Sequence, residues 1–346
     1  MTLLLWVLGS LISFCGLAVY LPLKLTLDGQ DLGTAMPRSG GERVYLERIF
    51  NKPYMLATCM FMAYIVLLGF STPNAIVLGE HALYALGIEE NRWNVRAIAV
   101  AMVSSICYLH SKRPKLGLQL INILGVVKML ILVTVILSGV AGGLMGVGSD
   151  RQALRARRPD PSFPALLKVI YCFRGYSTAN QVLSDVKNPV RTLKIAAPVA
   201  LSLISVAYLT VNVAFFLVVE KDEFKSAGVV VAAVFFRNVF GPDIGAHVLP
   251  FFVIISAASN IAATSFAQAR VNEELARDGL LPCGYCFKPS SIPSRGLLLH
   301  WLISVLAIVL PPPGRIYIFL INIGGYPVSV ISVALSVEQI LEERTG

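Results

Sequence analysis

Residues 169–189 read VIYCFRGYSTANQVLSDVKNP, and this stretch decides what kind of fold the chain adopts. It begins as an apolar run, places Arg174 and Gly175 in the middle, and ends in Asn-Pro. Ionisable residues inside a membrane segment are costly and face the interior of a helix bundle or a water-filled cavity. A helix broken at that depth is tolerated only where its freed backbone lines such a cavity. The stretch therefore predicts a broken membrane helix with a binding site at the break.

The residues that follow support the break, because Ser177, Thr178 and Asn180 are poor choices for the middle of a helix. A plainer alternative stays open. In that alternative the helix ends near Phe173 and the Arg174 side chain reaches the membrane interface.

Composition predicts an all-α integral membrane protein that crosses the bilayer several times. The chain is 56% hydrophobic and only 14% charged, with a mean hydropathy of +0.72. A span needs about 20 mainly apolar residues. Five windows meet this length without a charge: 2–23, 54–78, 195–219, 246–269 and 316–337. Four weaker windows bring the expected count to nine helices in one transmembrane domain, 1–346: 97–111, 117–147, 163–182 and 296–311.

The net charge of +9 is explained by loop lysines and arginines rather than by a nucleic-acid partner. With nine alternating spans, sixteen of these residues fall on one side and ten on the other. The richer side, which holds 24–52, 112–115, 187–194, 270–295 and the C-terminal tail, is predicted to be cytoplasmic. The other side holds 151–160. The multi-pass protein is expected in the plasma membrane, with lipid around it.

No constellation for catalysis or for a metal or cofactor is expected. Most of the cysteines lie in apolar segments as small buried residues, and only Cys283 and Cys286 have ligand spacing. The four histidines stand singly, and no Ser/His/Asp set or phosphate-binding loop is present. An enzyme is therefore not expected.

Three motifs carry a resemblance to a known family: DLGTAMPRSGGERVYLERIF (31–50), YCFRGYSTANQVLSDVKNPVRTLKIAAPVA (171–200) and FAQARVNEELARDGLLP (266–282). Together they resemble the amino acid, polyamine and organocation superfamily of transporters, and within it the fungal methionine permeases and L-type amino acid transporters. The resemblance implies a five-plus-five inverted repeat in which helices 1 and 6 are broken at the substrate site and helices 3, 8 and 10 line it. Residues 1–149 would then be helices 2–5 of a partial first repeat, and 163–340 helices 6–10 of the second.

The resemblance also implies the substrate-binding residues of the broken helix 6. They are Tyr171, Cys172, Phe173, Arg174, Gly175, Tyr176 and Ser177. The family's aromatic gate falls on Tyr171 and a second aromatic on Tyr176, although plain packing would also explain both. Arg174 departs from the small residue of the family. A cation there would compete with the amino group of a substrate, so either it points away or the specificity has changed.

Lys128 is the other charge inside an apolar segment, and it matches a helix 5 lysine of sodium-independent relatives. The resemblance implies that its ammonium occupies the place of a bound sodium ion, which makes transport sodium-independent and leaves proton coupling open. The alternative is a lysine that reaches the headgroups. The glycines at 139, 142, 143 and 146 on the same helix predict close helix packing.

Three further features are predicted in the second half of the chain. Helix 8 carries a polar flank of Ser256, Ser259, Asn260, Thr264 and Ser265, of which a minority is expected to touch substrate. The loop 220–245 is expected to hold a short, partly embedded helix around 229–236. The run 324–327, Gly-Gly-Tyr-Pro, predicts a break in helix 10.

The function implied by the resemblance is secondary active transport of an amino acid, with methionine or another large neutral amino acid as substrate. The family places a broken helix 1 before residues 2–23 and about two helices after helix 10. We therefore expect an incomplete transporter, which by itself binds and carries amino acid poorly or not at all. A non-transporting membrane protein of the same fold, such as a sensor, a partner subunit or a defective gene product, is the alternative.

Overall fold

The computed structural model describes residues 2–18, 69–89, 91–145, 169, 172–173, 175, 186–220, 223, 231–277, 279, 281 and 294–310. Within these residues the secondary structure is helical and contains no strand. The eight helices are α1 (Thr2–Ala18), α2 (Thr72–Ala85), α3 (Arg92–Lys112), α4 (Pro114–Leu144), α5 (Pro189–Val218), α6 (Val231–Phe240), α7 (Pro242–Arg277) and α8 (Ser294–Val309).

Local chemistry explains where several helices begin. The Asn91 side chain accepts a hydrogen bond from the Trp93 backbone N–H at 3.2 Å and caps α3. Helices α2, α4 and α5 each have proline in the first turn, where its missing N–H costs nothing. Asn188 precedes α5 with φ of 50°, a left-handed conformation that asparagine tolerates well. The Asn-Pro pair that ends the stretch 169–189 is thus the start of α5.

Hydropathy located most of these helices. In the described part of the chain, three are long and apolar enough to span a membrane: 114–144, 191–218 and 247–277. The short helix expected in the loop 220–245 is present as α6. The window 316–337, with its expected break at 324–327, and most of 163–182 lie outside the described residues. The count of nine spans therefore stays a prediction.

The prediction of one continuous helix over 54–78 is wrong, although residues 54–68 lie outside the described residues. Residues 69–71 are not helical, and α2 begins at Thr72 and runs to Ala85, seven residues beyond the predicted end. The cause is local, because Ser71, Thr72 and Pro73 form a helix start in which proline occupies the first turn.

The helices pack in two groups. Helices α2, α3, α7 and α8, here called the four-helix core, enclose one apolar cluster that contains Ala75, Val103, Ile261 and Leu297. Helices α1 and α5 enclose a second apolar cluster together with Phe173 from the stretch 169–189. Helix α4 lies between the groups and packs against both α5 and α7.

Glycines allow a close contact between α4 and α5; the sequence predicted close packing there but not the partner helix. A Cβ added at Gly139 would clash with the Cβ of Ala214, and one at Gly143 would lie 3.2 Å from the Cβ of Leu217. Small residues are how membrane helices bring their backbones together. Because the two contacts follow the same order along both helices, α4 and α5 run parallel and begin on the same side.

Two contacts set the directions of α3, α7 and α8. At the start of α3, Arg96 donates to the Val309 carbonyl at the end of α8, at 3.0 Å. Near the end of α7, Asn272 donates to the Gly296 carbonyl at the start of α8, at 3.2 Å. The ends of α3 and α7 and the starts of α4 and α5 therefore share one side. The basic residues of that side include Lys112, Arg113, Lys115, Lys187, Arg191, Lys194, Arg270 and Arg277.

Candidate substrate and cation site

A chain of polar side chains crosses the interface between α4 and the four-helix core. The Lys128 ammonium donates to Oδ1 of Asn260 at 2.7 Å. Nδ2 of Asn260 donates in turn to Oδ1 of Asn74 at 3.3 Å. The three residues come from α4, α7 and α2, and all three are half-buried. The ammonium therefore points into the helix bundle, toward α7, rather than along α4 to the headgroups.

This arrangement places a fixed positive charge between helices. A charge removed from water needs a hydrogen-bonding partner, and the amide oxygen of Asn260 supplies one. An amide oxygen carries no net negative charge, so the bond to Asn260 does not by itself neutralise the ammonium.

The residues predicted for substrate binding are described only in part. Tyr171, Arg174, Tyr176 and Ser177 lie outside the described residues. Cys172 and Gly175 are exposed and helical, and residue 173 between them is in a turn. A Cβ added at Gly175 would meet no described atom within 4 Å.

Phe173 has a different environment from Cys172 and Gly175. It is only 3% exposed and lies in an aromatic cluster with Trp6 of α1 and Tyr208 of α5. The ring centroids are 5.9 Å apart for Trp6 and 5.4 Å for Tyr208, both edge to face. These contacts hold Phe173 against α1 and α5. Phe173 therefore packs against helices, whereas Cys172 and Gly175 are exposed.

A buried histidine holds the non-helical residues before α2. His300 of α8 is 1% exposed, and its Nδ1 lies 3.0 Å from the Gly69 carbonyl oxygen. A carbonyl only accepts, so Nδ1 carries the proton and Nε2 is the acceptor. The hydroxyls of Ser71 and Ser265 lie 3.1 Å from Nε2.

Ser304 of α8 completes this arrangement. Its hydroxyl accepts from the Ser71 N–H at 3.3 Å, and its carbonyl accepts from the Thr72 hydroxyl at 3.2 Å. Backbone groups outside a helix need such partners where water is excluded. The Gly69 carbonyl and the Ser71 N–H before α2 thus find their partners on α8.

The described residues offer no group of three metal-ligating side chains. Cys107 is buried on α3, whereas Cys15 and Cys172 are exposed. Cys283 and Cys286 lie outside the described residues.

Sequence reasoning named Lys128 and Asn260 but missed Asn74 and His300. Asn74 belongs to the run Ser71 to Asn74, STPN, whose helix-start signal lay inside an apolar window. That signal was available from the sequence. His300 gave no signal, because its partners at residues 69, 71 and 265 are distant in the chain.

Comparison with known proteins agrees with this architecture. A family model described as amino acid permease matches residues 1–338. The chain is 38% identical to the high-affinity methionine permease of Saccharomyces cerevisiae over 97% of its length, and 30% identical to the low-affinity methionine permease of the same yeast over 93%. It is 24% identical to the human b(0,+)-type amino acid transporter 1 over 83% of its length.

The chain spans about three fifths of these relatives: 59% of the high-affinity permease, 60% of the low-affinity permease and 59% of the human transporter. The resemblance to transporters predicted from the three sequence motifs is confirmed. With a family match over nearly the whole chain and apolar helices long enough to cross a bilayer, the chain belongs to the amino acid permease family of integral membrane proteins.

Proposed function

We propose that the protein is a secondary active transporter of the plasma membrane, which moves an amino acid by alternating access. Methionine or another large neutral amino acid is the proposed substrate. The observation that carries this proposal is the match to the permease family over residues 1–338, together with the similarity to two yeast methionine permeases over more than nine tenths of the chain.

The proposed substrate site is the segment 171–177. An amino acid presents a carboxylate and an ammonium, and the amides and carbonyls freed at a broken helix can bind both. The turn at residue 173 and the open space beside Gly175 support this placement. Phe173 serves the site by anchoring the segment to α1 and α5. Arg174 is proposed either to point away from the substrate ammonium or to alter the specificity.

The proposed role of Lys128 is that of a built-in cation. Its ammonium bonds Asn260, so it ties α4 to the four-helix core, while Gly139 of the same helix contacts α5. Alternating access requires one helix group to move against another, and α4 contacts both groups. A resident ammonium repels sodium, so transport proceeds without it and a proton is the candidate coupling ion.

Uptake by cells that lack their own methionine transport tests the proposed function. The 346-residue chain and a version extended upstream are expressed side by side, and labelled methionine uptake is measured with a panel of competing amino acids. We expect at least one of the two forms to show saturable uptake that large neutral amino acids inhibit and acidic or basic ones do not. If neither form takes up any amino acid of the panel while present at the cell surface, the proposal is wrong.

The role of Lys128 is tested in the same cells. Replacing sodium with choline in the buffer should leave uptake unchanged. Lys128→Gln should lower uptake roughly tenfold, as expected when a hydrogen-bonded charge is lost. Lys115→Gln, which removes an exposed lysine at the start of α4, is the matched control and should have little effect. A steep dependence on sodium would contradict the built-in cation.

A further inference from the structure

Asn74 is the third residue of α2 and the last member of the polar chain that begins at Lys128. It makes its contact through Asn260, whose Nδ2 lies 3.3 Å from Oδ1 of Asn74. The transport proposal gives roles to Lys128 and to the segment 171–177. Asn74 has no part in it.

The chemistry of the three groups fixes the direction of the chain. An ammonium only donates, so Asn260 must present its oxygen to Lys128, and its NH₂ then faces Asn74. Oδ1 of Asn74 accepts from that NH₂. If the Asn260 amide turned over, its NH₂ would face the ammonium and two donors would meet. With its oxygen toward Asn260, Asn74 adds a second bond that favours the orientation serving Lys128, because a turned Asn260 would lose its bond to the ammonium as well as this one.

The backbone at Asn74 is held firmly enough to act as a reference point. Thr72, two residues earlier, is buried and bonded to Ser304 of α8. Ala75, the next residue, is fully buried in the four-helix core. Asn74 itself is half-buried, between these two anchored neighbours. Its side chain therefore projects from a rigid part of the molecule toward a partner on α7.

We propose that Asn74 is a positioning residue, which holds the Asn260 amide with its oxygen on Lys128 and so keeps the ammonium at its place on α7. The contacts of Asn260 with Asn74 and Lys128 are features of the structure. Its importance for transport rests on the proposed role of Lys128 as the built-in cation.

The test measures how fast a small amine-reactive reagent modifies Lys128 in the purified protein, with peptides quantified by mass spectrometry. Lys115, which is exposed, gives the reference rate in the same sample. Asn74→Leu should raise the relative rate at Lys128 about fivefold, as expected for a weakened hydrogen bond to a charged group. Asn74→Asp keeps an acceptor oxygen and should restore the slow rate.

Asn212→Leu is the matched control. It removes a half-buried asparagine of α5 whose NH₂ donates to the Tyr208 carbonyl in its own helix, at 2.8 Å. The control should leave the Lys128 rate unchanged. If Asn74→Leu does not fold, Asn74→Ala is used in its place with the same expected increase.

The positioning proposal is overturned if Asn74→Leu and Asn74→Ala both leave the Lys128 rate at the wild-type value, or if Asn74→Asp reacts as fast as Asn74→Leu. Methionine uptake by the same variants separates this result from the proposed function. A faster labelling rate with unchanged uptake supports the positioning by Asn74 and contradicts the role of Lys128 in transport.

Discussion

Replacing His300 by alanine is expected to destabilise the protein strongly. The imidazole is 1% exposed and joins α8 to the Gly69 carbonyl and to the hydroxyls of Ser71 and Ser265. Hydrogen bonds between membrane helices average about 0.6 kcal/mol each. The cavity left by the ring adds about 2 kcal/mol. We expect a total loss of about 4 kcal/mol in the free energy of unfolding.

The melting temperature of the purified protein in detergent measures this loss. At about 2.1 cal/mol/K of unfolding entropy per residue, 4 kcal/mol corresponds to a decrease of roughly 5 °C. His300→Leu fills most of the cavity and should lose about half as much, which separates packing from hydrogen bonding. His247→Ala is the control, because that histidine is exposed and lies near the Asp243 carbonyl of its own helix. Equal melting temperatures for His300→Ala and His247→Ala would refute the reasoning.

Three other outcomes are expected. Gly139→Leu should cost about 1–3 kcal/mol by forcing α4 away from Ala214, whereas Gly125→Leu, with no described atom within 4 Å of the added Cβ, should melt like the wild type. Gly175→Leu should abolish methionine binding with little change in melting temperature, because the space there is open in the described structure; a binding-competent variant would contradict the proposed site. A cysteine at position 277 should resist an impermeant thiol reagent in intact cells, and strong labelling would overturn the cytoplasmic assignment.

Hydropathy alone located the long helices well but misjudged their ends. The window 246–269 stopped where Gln268 and Asn272 begin to make the sequence polar. In the structure α7 continues to Arg277, because Gln268 donates to Asn272 and Asn272 donates to the Gly296 carbonyl. A hydropathy window counts these amides as solvated. It has no means of recognising that partners within the protein satisfy them.

Features of the candidate site were harder to predict for the same reason. Lys128 stood out because a charge is conspicuous in an apolar segment. Its partner Asn260 lies 132 residues away, so the sequence could name Asn260 only as one member of the polar flank of helix 8. Phe173 was assigned to the substrate with its neighbours. The contacts of its ring with Trp6 of α1 and Tyr208 of α5 depend on tertiary packing, which no local sequence pattern encodes.

Counterflow of labelled methionine into proteoliposomes tests most directly whether the protein is an amino acid permease with a built-in cation. Protein is purified in the form that supports methionine uptake in cells, and it is reconstituted with unlabelled methionine inside and traces of labelled methionine outside, in a buffer without sodium. We expect transient accumulation of label above the level in empty liposomes, and loss of that accumulation in Lys128→Gln. No accumulation by this folded protein would show that the proposed transport is wrong, and accumulation only when sodium is present would show that the built-in cation is wrong.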